Sequence, residues 1–288
     1  MKKYFQLMRV KQWIKNLFIF APVIFSRHLS DARDLSTVFL AFLTFSLSSS
    51  AVYIFNDIND VESDRLHPIK KNRPIARGVI SIKKAVFLLA IIIALVVASI
   101  TLFNYSFIAV LFAYILLNVF YTIKLKNVVI IDLMSIAAGF MLRVIGGAFV
   151  IEVYISSWLI LATLFISLFL AVMKRRSELD VTQTDSPGTR KVLAEYSSNF
   201  IEQIVSVSAA GVIICYALYT VSERTIREFN TEAMIYTTVF VVFGIFRFMY
   251  LVYKKSKGEN ATEIMLTDAP MIINILLYIL TIIIIVYI

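Results

Sequence analysis

The stretch Asn56-Asp57-Ile58-Asn59-Asp60-Val61-Glu62-Ser63-Asp64 crowds acids and amides into a short run of an otherwise apolar chain. On a helix, Asp57, Asp60 and Asp64 share a face of about 100° with Asn56, while Glu62 points away. Carboxylates crowded together repel unless something cationic sits among them. Hard oxygen donors with coordination positions to spare suit Mg2+ bound jointly with substrate phosphates. The spacing therefore predicts metal ligation by Asn56, Asp57, Asp60 and Asp64, with the three aspartates in the catalytic role. Lys70, Lys71, Arg73 and Arg77 follow directly, around Pro74 and Gly78. An acidic cluster and then a basic loop is what a diphosphate needs: a bridging metal and fixed positive charge. The plainer alternative is a solvated, salt-bridged loop.

Further charges interrupt apolar runs. Asp132, Ser135, Gly139, Arg143 and Gly146 fall on one polar-and-small stripe of a helix. A charge at membrane depth is costly unless it faces a cavity or a partner, and small residues at this spacing also make a helix-packing face. Catalytic and structural roles stand level for Asp132; Arg143 is expected to face a cavity or a buried pair. Lys15 and Asn16 break the first apolar run beside Trp13. They read either as an interfacial anchor or as donors to a lipid phosphate. Arg247 can snorkel to the surface. His28 and His67 have no partner at metal-ligand spacing.

The elements that hold these residues must be membrane helices. Hydrophobic residues make up 60% and charged residues 16% of the chain, with mean hydropathy +0.84. A soluble domain needs about 25% charged residues, so that class is excluded. Apolar runs lie at 35–55, 85–103, 105–123, 128–151, 153–173, 204–221, 233–253 and 269–288, with a weaker one at 13–26. The basic head and the basic connector after Phe55 both belong in the cytoplasm, so 13–26 must cross between them. The expected fold is all-α: nine transmembrane helices, the amino terminus cytoplasmic, and one domain over 1–288. The long connectors 56–84, 174–203 and 254–268 lie on the cytoplasmic face, and the chemistry with them. The net charge of +9 follows from positive-inside topology, and no nucleic-acid partner is expected. A single cysteine, Cys215, allows no intrachain disulfide. A homo-oligomer is compatible with the sequence.

Asn56-Asp57-x-x-Asp60-x-x-x-Asp64 at the end of the second of nine helices, followed by Asn72-Arg73-Pro74-Ile75, resembles the UbiA-type intramembrane prenyltransferase superfamily. That likeness implies a lipid-open helical cavity with Mg2+ and phosphates at its cytoplasmic mouth. Four further stretches are similar to one branch, the decaprenyl-phosphate phosphoribosyltransferases: Lys11-Gln12-Trp13-Ile14-Lys15-Asn16, Asp64-Arg65-x-His67-Pro68, Lys174-Arg175-x-x-Glu178-Leu179, and Thr262-Glu263-Ile264 before Asp268. The branch implies transfer of 5-phosphoribose from phosphoribosyl diphosphate (PRPP) to a polyprenyl phosphate. Typical aromatic prenyltransferases of the superfamily carry a second DxxxD motif after the sixth helix. Here Asp180 and Asp185 are spaced differently, and the segment opens on Lys174-Arg175-Arg176. That basic opening suits another phosphate, such as the 5-phosphate of PRPP. The resemblance thus implies phosphate contacts from Lys71, Arg73, Lys174 and Arg175, and a lipid-phosphate site at Lys15 and Asn16. Arg77, Arg143 and Glu178 complete the expected substrate contacts. The rivals are an aromatic prenyltransferase on the same fold and a transporter with Asp132 and Arg143 along its route. The transporter is disfavoured because the charged elements gather at one face.

Overall fold

A computed structural model describes residues 2–26, 28–67, 70–182, 195–255 and 267–287. Pro68, Asp185 and Thr262-Glu263-Ile264 lie outside the described residues, as does the side chain of Asp180. Every regular element among the described residues is helical. Eight helices coincide with the long apolar runs: α1 (Ala32–Asn59), α2 (Ile82–Ile100), α3 (Tyr105–Ile123), α4 (Ile131–Val150), α5 (Ser157–Thr182), α6 (Ser198–Thr220), α7 (Thr238–Lys255) and α8 (Ala269–Tyr287). Each lies in a stretch long and apolar enough to cross a bilayer, and the protein is an integral multi-pass membrane protein. Polar caps set several starts. Asp31 accepts from the N–H groups of Arg33 and Asp34 at α1, and Asn104 from Phe107 at α3. Ser197 accepts from Phe200, which is why α6 begins ahead of its apolar run.

The weak first run takes a different form. Val10–Phe20 is an eleven-residue 3₁₀ helix, continued by a five-residue α-helical turn at Ala21–Phe25. A 3₁₀ helix rises about 2.0 Å per residue, so this short segment extends roughly 30 Å, the thickness of the hydrocarbon core. It packs between α1 and α4. Gly147 makes the close approach possible, since a Cβ there would strike the Ile19 carbonyl.

Two larger apolar cores result, beside a smaller cluster of Phe229, Met234, Ile282 and Val286. One joins the first segment, α1, α2 and α3 through Ile19, Phe45, Ile54, Ile92 and Phe107. The other joins α5, α6 and α7 through Phe169, Val172, Val205 and Phe248. Helix α4 belongs to both, with Val150 in the first and Leu133 in the second. Its central window is 61% buried, against 17% for α2 and for α8, so α4 is the axis and those two face lipid.

Candidate active site

The helical phase of α1 carries past its end. Asp60 donates its N–H to the Asn56 carbonyl at 2.9 Å, and Asp64 donates to the Asp60 carbonyl at 2.8 Å, so Val61–Leu66 continues the face. Asp57 and Asp64 are buried and Asn56 is half-buried, while Glu62 is exposed, as its angular position requires. The basic loop is pinned over them from below. Pro74, Ile75 and Ile80 are buried, and Gly78 turns the chain at φ +77°, a conformation glycine adopts freely. This fixes Arg73, whose Nη1 lies 2.6 Å from Asp64 Oδ2 and 3.2 Å from Asp57 Oδ1. Lys71 and Arg77 stand exposed on the same loop. Arg9 reaches Asp57 from the other side, Nη2 to Oδ1 2.5 Å, with its guanidinium over the Tyr53 ring. Its backbone is left-handed, φ 51°, at a cost to an L-residue of about 1–2 kcal/mol.

Asp60 is set apart. It lies at the break between the two helices, φ −97° and ψ 10°, and Lys126 Nζ binds its two oxygens at 2.9 and 3.0 Å. The face of four ligands is therefore divided, and among the described residues no three acidic, histidine or cysteine side chains converge as a metal cluster. In their place each carboxylate has found a cation. The arrangement still suits a divalent ion at Asp57 and Asp64: the Arg73 guanidinium already bridges them, as a cation would. Mg2+ is commonly held by one or two carboxylates together with substrate phosphates. His67, beside this group, has its pKa pushed down by burial and by Lys70, which favours the neutral ring.

Across the bundle, Asp132 opens α4 and is fully buried against Arg175 of α5, Oδ2 to Nε 2.8 Å, with the two side chains 0% and 1% exposed. Tyr196 donates to Asp132 Oδ1 at 2.7 Å and accepts from the Ile130 N–H at 2.7 Å. Ile130 holds φ 68° to present that N–H. Burial and the Asp132 contact push the Tyr196 pKa up, which keeps it a donor. Arg175 also contacts Glu178 at 2.5 Å and Tyr121 at 3.4 Å. Arg175, expected from the basic opening of its segment to contact phosphate, is thus buried and bonded to Asp132, Glu178 and Tyr121. Lys174 is exposed and Glu178 half-buried beside it.

Arg143 is a further buried charge, and among the described residues its hydrogen bonds run to neutral groups. Nε donates to Asn16 Oδ1 at 2.6 Å, Nη1 to the Gly139 carbonyl at 2.7 Å, and Nη2 to Tyr114 OH at 3.0 Å. Asn16 also donates to Ser46 and accepts from Ser49. Its amide is committed to the helix junction. Ser46 precedes Asp57 by three turns of α1, so Asn16 sits about 16 Å from the acidic face. Lys15 is half-buried and within electrostatic reach of both Arg9 and Arg143. Arg247, expected to snorkel, forms a two-pronged pair with Asp268 at 3.0 and 2.9 Å.

Sequence reasoning missed Arg9, Lys126, Tyr121 and Tyr196. Arg9 lies 48 residues from Asp57 and Lys126 lies 66 from Asp60. Nothing in local spacing links them to the acids.

The sequence model of the UbiA prenyltransferase family matches residues 18–276. Decaprenyl-phosphate phosphoribosyltransferase of Mycolicibacterium smegmatis is 32% identical over 253 residues, 85% of this chain and 79% of that protein. The protein so named in Mycobacterium tuberculosis is 31% identical over 215 residues, 73% of this chain and 71% of its own. Among solved structures, a UbiA homolog from Archaeoglobus fulgidus bound to GPP and Mg2+ superposes with a TM-score of 0.74 at 16% identity, covering 99% of this chain and 100% of that one.

Proposed function

The chain belongs to the UbiA prenyltransferase family and is a transferase, and from that premise we propose that it moves 5-phosphoribose from PRPP to a polyprenyl phosphate, releasing diphosphate. The observation that carries this reading is the alternation of carboxylates and cations at one mouth: Arg9, Asp57, Arg73 and Asp64 in sequence of contact, with Asp60 and Lys126 beside them. The names of the relatives support the pentosyl donor. Residues 1–288 act as one transmembrane domain, and positive-inside charge puts the mouth and the amino terminus in the cytoplasm.

Asp57 and Asp64, with Asn56 and Asp60 alongside, would hold Mg2+, which when bound supplies charge neutralisation for the departing diphosphate. Arg73, Arg9 and Lys126 exchange their carboxylates for diphosphate oxygens, and charge-assisted bonds of this kind stabilise the leaving group. Lys71 and Arg77 reach the same oxygens from the exposed loop. Lys174 binds the ribose 5-phosphate. Lys15 holds the lipid phosphate near the mouth, while its polyprenyl tail runs along the apolar helices. That phosphate is already anionic at neutral pH, so its oxygen attacks ribose C1 without a protein base. The new C1–O bond forms as the bond to diphosphate breaks. Asp132, Arg175, Asn16 and Arg143 position the helices that carry these groups.

The test is a transfer assay on purified protein in two tubes: labelled PRPP with polyprenyl phosphate, and prenyl diphosphate with an aromatic acceptor. Labelled lipid in the first alone is the expected result. Product in the second alone would replace this reading with aromatic prenylation.

A further inference from the structure

Arg73 joins two carboxylates of the acidic motif through a single nitrogen. Its Nη1 lies 2.6 Å from Asp64 Oδ2 and 3.2 Å from Asp57 Oδ1. Both carboxylates are buried, whereas the Arg73 side chain keeps contact with water. Among the motif's acids, Arg9 pairs with Asp57 alone and Lys126 with Asp60 alone. Two guanidinium groups thus balance Asp57 and Asp64, and Arg73 is the one placed between them. An ion held by those same two oxygens competes with Nη1 for their lone pairs and for the space between them. If Arg73 left without such an ion, Asp64 would lose its guanidinium and stay a buried carboxylate. If the ion entered and Arg73 stayed close by, two surplus positive charges would gather at the mouth. A diphosphate removes that surplus and gives the released guanidinium new acceptors. Each half of the exchange is unfavourable by itself, and the two together are balanced.

Building on the reading of Asp57 and Asp64 as metal ligands for a diphosphate donor, we propose that Arg73 is a placeholder for the divalent ion, and that its release couples metal binding to diphosphate binding. Arg73 keeps the metal affinity of the protein low until a diphosphate draws the guanidinium away. Such coupling is reciprocal: the metal strengthens diphosphate binding by the factor by which diphosphate strengthens metal binding. Only a side chain has to move, because Pro74 and Ile75 anchor the loop by their burial.

The experiment counts Mn2+ bound to the purified full chain by equilibrium dialysis, at matched free metal, with and without inorganic diphosphate. Mn2+ stands in for Mg2+ because both take oxygen ligands. Binding that remains when Asp57→Asn and Asp64→Asn are combined is subtracted as background. Without diphosphate, Arg73→Met is expected to bind Mn2+ roughly ten- to hundred-fold more tightly than the parent, since the ion no longer has to break charge-assisted bonds. Arg73→Gln keeps a polar side chain without the charge, serves where the methionine variant fails to fold, and must shift the same way. Arg9→Met removes an equal charge from Asp57 without clearing the space, so its gain is expected to be clearly smaller. Diphosphate should tighten Mn2+ binding in the parent, and by a smaller factor in the Arg73 variants. Equal tightening by Arg9→Met and Arg73→Met would make Arg73 one positive charge among several and overturn the proposal. Unchanged or weaker Mn2+ binding in both Arg73 variants would overturn it too, while leaving the metal ligands in place. If no form of the protein binds Mn2+, with diphosphate or without, the metal reading itself falls and the proposal with it.

Discussion

Two clusters of carboxylates and guanidinium groups, alike in chemistry, occupy the two halves of the bundle. At the mouth, Arg9 and Arg73 are 24% and 22% exposed against Asp57. Around α4 and α5, Arg175 and Asp132 are 1% and 0% exposed. The difference separates an exchangeable site from a fixed one. Water can reach the mouth arginines, so they can leave their buried carboxylates for a phosphate once another cation takes their place. Releasing Asp132 or Arg175 would strand a charge in low dielectric. Arg143 stands between these cases, buried yet bonded only to neutral groups.

The largest expected effect tests the sealed side. Arg175→Met leaves Asp132 without its cation and should cost about 3–5 kcal/mol of stability, read by thermal unfolding in detergent. Adding Asp132→Leu should recover most of that loss, because a well-packed apolar pair is a neutral replacement. By contrast, Arg73→Met removes a partly exposed cation and leaves Asp57 its Arg9, so the loss should be smaller, about 1–3 kcal/mol, from the carboxylate left on Asp64. Equal losses from Arg175→Met and Arg73→Met would erase the distinction.

Next in size is Asp57→Asn, which should lower transfer by at least about a hundred-fold while leaving helicity and unfolding temperature intact. Asp132→Asn should act the other way, reducing the folded yield while the folded fraction keeps most of its turnover. A turnover loss in folded Asp132→Asn matching that of Asp57→Asn would put Asp132 among the reacting groups.

Lys15→Ala should raise the KM for the lipid phosphate by roughly ten-fold and leave that for PRPP nearly unchanged. An anchor role would instead lower insertion and shift both substrates together. The smallest effect belongs to Glu62→Gln. Glu62 is exposed on the opposite face of its helix, so stability should stay within about 0.5 kcal/mol and turnover at the parent level. A loss there would show that proximity in sequence, not helical face, governs the acidic motif.

The acidic face was legible because helical phase is a local property. Asp57, Asp64 and Glu62 lie where 100° per residue puts them. Its division was not legible, because Lys126 reaches Asp60 from the connector after α3. The stripe Asp132, Ser135, Gly139, Arg143 and Gly146 was likewise readable as one face, and all five residues are buried. What that face meets could not be read, since Asn16 and Arg175 arrive from helices distant in the chain.

Composition and periodicity by themselves determined that this is a helical membrane protein, where its long helices run, and which face of α1 carries the acids. Those follow from apolar length and helical phase, which depend on neighbours in sequence. Only the tertiary structure decided which cation meets which carboxylate, and that Arg175 is sealed while Arg73 stays open. It also decided that the first segment extends as a 3₁₀ helix against Gly147. Burial and charge pairing are properties of the packed helices, and the same arginine is a phosphate ligand or a structural pin according to what closes over it.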